Sequence, residues 1–254
     1  GNNTYLYASK SSGDECWQSE SVELTGTPTH VGSMVVDQND YLHIAYRGID
    51  SYSAVIYHAW KGPNSSWQAE VVANEPGSSP DITVDSSDVV HIVYLLGGDI
   101  RYAVAPSTSW SIDTLVIPGS SYSQATEVAI EVSDQGTVHI AYPYLNSASQ
   151  PPHGMGHAYK TATGSWSFEV VDQGDFSGVD IGVNPLCATP FNPRSPVQIS
   201  GDDCPAVSYV DSVAGHIKFG ERSQYGHWTV ENVPGAGSPI GKTRLSIDVN
   251  EVQK

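Results

Sequence analysis

The chain has 254 residues, enough to bury a core as one large all-β domain or as two small ones. Only 15% of them are charged, while Gly (24), Pro (16) and Tyr (14) are plentiful, which suits many short strands joined by turns and not long surface helices. The net charge of −17 opposes binding to phosphate backbones and so argues against nucleic acid as a partner, and no apolar run is long enough to cross a bilayer as a helix.

In chain order, the sequence opens Gly1-Asn2-Asn3-Thr4 without a basic or apolar leader, as a secreted protein after processing, or a fragment, would. Tyr5-Leu6-Tyr7-Ala8 reads as a strand, followed by a second that Trp17 leads and that carries Glu20 and Val22. A full unit then begins. A strand ends at Val36-Asp37, a polar turn leads to His43-Ile44-Ala45-Tyr46, then comes Val55-Ile56-Tyr57-His58, and then a strand led by Trp67 with Glu70 and Val72.

The next unit runs through Val84-Asp85, His91-Ile92-Val93-Tyr94, Ile100-Arg101-Tyr102-Ala103 and Trp110 with Asp113 and Leu115. The third has Val132-Ser133, His139-Ile140-Ala141-Tyr142, Met155-Gly156-His157-Ala158 and Trp166 with Glu169 and Val171. The fourth is degraded: Ile199-Ser200, Ala206-Val207-Ser208-Tyr209, Ile217-Lys218-Phe219-Gly220 and Trp228 with Glu231 and Val233. A last first strand, Leu245 to Asp248, stands near the C-terminus.

The five tryptophans that lead equivalent strands, of six in the chain, are 50, 43, 56 and 62 residues apart, and the variation falls in the loops. Four antiparallel strands per unit of this length predict the blades of a β-propeller. Apolar residues on both faces of the middle strands fit sheets packed between two neighbours. The expected fold is therefore all-β: a single propeller domain over residues 1–254 with five blades, or six if strands have been missed. Its ring would be closed by N- and C-terminal strands sharing one blade, which hides two sheet edges.

The units resemble the repeats of bacterial and archaeal extracellular β-propeller proteins with a Val-Asp-x-x-Gly-x-x-His-Ile-x-Tyr core, loosely called sialidase-like. Here the motif's Gly survives in the first turn only at Gly136, the fourth unit lacks its His, and no clear Asp-box appears. The resemblance implies an extracellular or cell-surface location and a site where the loops entering the inner strands meet those joining the second and third strands. That placement makes Arg47, Tyr144, His153, Phe176, Arg194 and Asp211 the candidate ligand-binding residues, and Asp81 and Glu127 a candidate carboxylate pair across a central pocket. The insertions from Asp172 to Pro196 and from Pro143 to Gly154 are expected to lie near each other and to line a groove.

Other chemical-looking residues read as architecture. His43, His91 and His139 hold one position in three units, so ring symmetry would separate them, and Asp37 and Asp85 stand where a short turn can pair them with their histidines. The acids after the tryptophans read as charges guarding an exposed edge. The acidic turns fit Asx geometry, with calcium as a lesser reading and no other cofactor or metal expected. Cys187 and Cys204 bracket the longest irregular segment, where a disulfide or two free thiols are equal readings, and Cys16 is left over. The function expected is an extracellular recognition module for carbohydrate, without catalysis. The alternatives are a polysaccharide-active glycoside hydrolase or lyase with a central pocket, and a structural or assembly protein.

Overall fold

In the computed structural model the described residues are 5–9, 16–22, 24–51, 53–105, 109–117, 123–146, 153–184, 204–223 and 226–233. They hold nineteen strands and no helix. In chain order these are β1 (Tyr5–Ser9), β2 (Gln18–Val22), β3 (Thr27–Val36), β4 (Leu42–Asp50), β5 (Ser53–Lys61), β6 (Gln68–Ala73), β7 (Ser78–Val84), β8 (Val90–Leu96), β9 (Asp99–Ala105) and β10 (Ser111–Leu115). The rest are β11 (Ser123–Ala125), β12 (Ala129–Val132), β13 (Val138–Asn146), β14 (His153–Lys160), β15 (Ser167–Gln173), β16 (Phe176–Asn184), β17 (Cys204–Asp211), β18 (His216–Arg222) and β19 (Trp228–Asn232).

They form five antiparallel sheets: β1-β2, β3-β4-β5-β6, β7-β8-β9-β10, β11/β12-β13-β14-β15 and β16-β17-β18-β19. Four of the five repeat one order, in which each strand pairs with the next in sequence, β11 and β12 both pairing with β13 as one interrupted first strand. The first strands stack in succession, β3 on β7, β7 on β12 and β12 on β16, so the sheets meet along their inner strands. Apolar clusters fill the gaps. One joins Val93, Ile100 and Leu115 to Ile130, Ile140 and Tyr142, and another joins Ala129, Ala141 and Met155 to Ile181, Val207 and Tyr209.

The turn between first and second strands shows why the motif has its spacing. Asp37 Oδ1 accepts from the N–H groups of Asn39 and Tyr41, both at 2.8 Å, and Asp85 Oδ1 does the same for Ser87 and Val89 at 2.8 and 2.9 Å. Three residues on, the backbone turns left-handed at Asp40 (φ 61°), Asp88 (φ 60°) and Gly136 (φ 75°). Gly136 occupies the motif's Gly position, and Asp is tolerated there because its short polar side chain suits that region. The other oxygen of each Asp faces its histidine, at 3.5 Å for Asp37–His43 and 3.4 Å for Asp85–His91.

The motif tyrosine pins the loop that enters its own sheet. Tyr46 donates to Thr25 O (3.1 Å), Tyr94 to Glu75 Oε1 (2.5 Å) and Tyr209 to Asp172 Oδ2 (2.9 Å), all from fully buried rings. In the second and third sheets the repeat thus codes both ends: the Asp turn at one, the tyrosine anchor at the other.

One expected element is corrected. The strand paired with β17 is Phe176–Asn184, with Ile181 opposite Val207, and not the segment ending at Ile199-Ser200. Ile199, Ser200, Arg194 and the strand Leu245 to Asp248 lie outside the described residues. The insertion read from Asp172 to Pro196 therefore begins with an inner strand.

The edge-guard reading of the post-tryptophan acids is corrected too, because three of them face the neighbouring sheet. Glu20 takes Lys61 Nζ at 2.5 and 2.6 Å and Trp67 Nε1 at 3.2 Å. Asp113 takes Lys160 Nζ at 2.9 Å and Trp166 Nε1 at 3.4 Å. Glu169 takes Arg222 Nε and Nη2 at 2.8 and 2.7 Å and Trp228 Nε1 at 3.0 Å. In each case the acid is on one sheet's fourth strand, while the cation and the tryptophan come from the next sheet.

Candidate functional site

Three of the residues singled out from sequence, His153, Phe176 and Asp211, converge where the fourth sheet meets the fifth, at the end where second strands finish and first strands begin. Tyr144 lies on the other face of the fourth sheet and packs toward the third. Tyr144 is near the end of β13 and His153 starts β14, with Tyr144 opposite Gly154 and Leu145 opposite His153. The Tyr144 hydroxyl lies against Gly154, where a Cβ would come within 2.6 Å of it, so only glycine leaves room for that ring. Tyr144 also tilts against the buried Tyr142, with centroids 6.1 Å apart, and burial pushes its hydroxyl pKa up.

His153 Nε2 stands 3.3 Å from Asp175 Oδ1, which orients the imidazole. His153 Nδ1 has no hydrogen-bond partner among the described residues. Asp175 O accepts from Ser212 N at 2.8 Å, tying this rim to the start of the β17–β18 turn.

Phe176 follows directly. It is buried, meets Tyr209 edge-on at 4.9 Å, and pairs in register with Asp211. Lys218 Nζ lies 5.3 Å over the Phe176 ring, 2.8 Å from Asp172 Oδ2 and 3.7 Å from Asp211 Oδ2. Asp211 Oδ1 meanwhile caps its turn, accepting from Val213 N and Ala214 N at 3.0 and 2.8 Å. Ser177 and Ser212 share a hydroxyl hydrogen bond of 3.0 Å at the exposed margin.

The rim thus offers an imidazole oriented by Asp175, two hydroxyls and three carboxylates, two of them beside one lysine. Such a set can accept from and donate to the hydroxyls of a polar ligand. Phe176 and Asp211 support the rim from below, through core packing and the turn. Asp172, Asp175 and Lys218 were missed from sequence as members of it, although Asp175 directly precedes the expected Phe176.

Arg47 sits on another sheet, at the same end of its strand. Its Nη1 donates to Thr29 Oγ1 at 3.3 Å and its Nε has no hydrogen-bond partner among the described residues.

Asp81 and Glu127 line the inner strands, but each is engaged with the next sheet. Asp81 Oδ1 accepts the Ser33 hydroxyl and Oδ2 accepts Ile130 N at 2.8 Å, while Ile82 N donates to Ser33 Oγ at 2.9 Å. Glu127 Oε2 accepts Gly178 N at 2.7 Å. Asp81 thereby joins β3, β7 and β12, and Glu127 ties the entry of β12 to β16.

Asp81's electrostatic neighbours are other acids. Burial, opposed by the Ser33 and Ile130 hydrogen bonds and aided by Asp180, lifts its pKa to about 6. Glu131, held by Val132 N and the Thr83 hydroxyl, is lifted to about 7, first by burial and then by Asp81 and Asp180. Among the described residues no three His, Cys, Asp or Glu side chains are placed to hold a metal ion. Cys204 is disulfide-bonded and Cys16 is free and exposed, while Cys187 lies outside the described residues.

No family model matches the chain, and no curated protein matches it. Among solved structures it is similar to a protein of unknown function from Dyadobacter fermentans DSM 18053, with 12% identity and a TM-score of 0.56 over 83% of this chain and 71% of that one. It is also similar to the fucose-specific lectin from Aleuria aurantia, with 13% identity and a TM-score of 0.53 over 89% and 70%. At such identities the likeness is one of fold, a propeller-type arrangement of antiparallel sheets.

Proposed function

We propose that the protein is an extracellular carbohydrate-recognition module without catalysis, folded as one five-bladed propeller whose first sheet is completed by C-terminal strands. Its sugar site is the rim formed by His153 and Asp175, with Ser177 and Ser212 beside them. The carrying observation is the His153–Asp175 pair, 30% and 49% exposed, beside the Ser177 and Ser212 hydroxyls at the exposed margin. Imidazole, hydroxyl and carboxylate groups can donate to and accept from sugar hydroxyls. A fold shared with a fucose-specific lectin supports this reading.

The hydrolase alternative draws on the raised pKa values of Asp81 and Glu131. Against it, both oxygens of Asp81 are taken up in joining inner strands, so the group most like a catalytic acid is already satisfied structurally. Glycan-array binding run beside a reducing-end release assay separates the two. Binding without release is the expected result, and release of reducing ends would overturn it.

A further inference from the structure

The seams between successive sheets reuse one set of parts. At each, the tryptophan of the later sheet sets its edge against the third-strand aromatic ring of the earlier one: Trp67 on Tyr7, Trp110 on His58, Trp166 on Tyr102 and Trp228 on His157, with centroids 6.5, 5.6, 5.3 and 5.2 Å apart. At three of the four, the same tryptophan donates to the earlier sheet's acid, Glu20, Asp113 or Glu169.

Five sheets give four such seams and leave two half-sets over. Trp17, leading the fourth strand of the first sheet, is 68% exposed, whereas Trp67, Trp166 and Trp228 are half-buried. On the last sheet, Phe219 holds the third-strand ring position and Glu231 the acid position, with Phe219 opposite Glu231 in register. His58, His157 and Tyr102 are buried beneath their tryptophans, while Phe219 is only half-buried and Glu231 is exposed.

We infer that Trp17 docks on the last sheet of its own chain, its ring edge against Phe219 and its indole N–H on Glu231, forming a fifth seam that locks the ring. This rests on the closed-ring reading above and gives it a specific contact. The occupant is named by the established seams: each pairs an aromatic ring and an acid on one sheet with a tryptophan on the next, and these leftover groups are the same complementary halves. Glu231 would gain the donor its three counterparts have, and Trp17 would lose an exposed apolar surface that is costly in water.

The test needs no glycan, so its outcome is independent of the sugar reading. Trp17→Ala and Trp67→Ala are melted side by side at high dilution, with Glu231→Gln as a milder change. Both alanine variants are expected to lose at least about 5 °C in Tm, and Glu231→Gln a smaller amount. In Thr229→Cys protein, the native exposed Cys16 is expected to be joined to the new thiol within one chain by a flexible bismaleimide. An unchanged Tm for Trp17→Ala, with an indole freely quenched by acrylamide, would overturn the inference. So would crosslinks formed only between chains, which would give the seam to a second copy.

Discussion

Arg222 reaches from the third strand of the fifth sheet to grip both carboxylate oxygens of Glu169 on the outer strand of the fourth, at 2.7 and 2.8 Å. Trp228 and His157 add hydrogen bonds to the same carboxylate at 3.0 and 3.2 Å. Burial works to raise the Glu169 pKa, and these donors overcome it, bringing it down to about 2. Glu169→Ala would leave a half-buried guanidinium, an indole N–H and a buried imidazole without their acceptor. It should destabilise the protein by about 3 kcal/mol, read as a shift of the urea midpoint at pH 7. Glu169→Gln should cost less because it keeps one acceptor.

Among the described residues, the seam between the second and third sheets has no cation at the equivalent place. Ala105 stands opposite Val90, the place that Lys61 and Lys160 hold opposite Leu42 and Val138. There Trp110 Nε1 is buried with no hydrogen-bond partner among the described residues. Ala105→Lys should supply the missing charge beside Glu70 and raise stability by about 0.5 kcal/mol, a gain that 1 M NaCl should erase. Differential scanning calorimetry at low and high salt would register it.

Stacked histidines make the native state sensitive to acid. His43 and His58 stack 5.2 Å apart and share a 2.9 Å contact, as His139 and His157 do at 5.3 and 3.1 Å. Burial drives the pKa of His58 and of His157 down to about 4, against the pull of Glu70 and Glu169. The unfolded chain binds these protons near pH 6.5 and the folded chain only near pH 4, so stability is lost as pH falls through that window, by up to about 3 kcal/mol for each group. The last sheet shows an apolar solution at the equivalent places, Ala206 and Phe219. The double variant His139→Ala/His157→Phe should therefore flatten the acid limb of a stability–pH curve.

Glu131 titrates in the opposite sense. Its folded pKa of about 7 lies above its ordinary value, so the native state takes up a proton as pH drops below 7 and is weakened above it. Glu131→Gln should keep the bonds from Val132 N and Thr83 and raise stability at pH 8 by on the order of 1 kcal/mol. The gain should shrink at pH 5, where folded Glu131 is already protonated, and vanish only below the ordinary carboxyl pKa. Equal gains at both pH values would argue against a charge effect.

Much of this architecture is written locally. The His-Ile-Ala-Tyr strands and their Asp turns can be read because each contact lies within a few residues, as in Asp37 with His43. The inner strand at Phe176–Asn184 was hidden by the insertion after it, although Asp180-Ile181-Gly182-Val183 echoes Asp81-Ile82-Thr83-Val84. The seams were hidden for another reason: each acid meets a cation and a tryptophan from a different unit, Glu20 with Lys61 and Trp67, Glu169 with Arg222 and Trp228. The signal was present, since Lys61, Lys160 and Arg222 each stand six residues before their tryptophan. Tyr144 and His153 were legible as loop residues, but the pairing of His153 with Asp175 depends on two sheets meeting.

The most direct measurement is a calorimetric titration of the strongest array glycan into the wild type, Asp175→Ala and His153→Ala. Binding by the wild type and a loss of at least about tenfold in each variant, with melting curves unchanged, is the expected result. Wild-type affinity in both variants would place the sugar elsewhere and contradict the account.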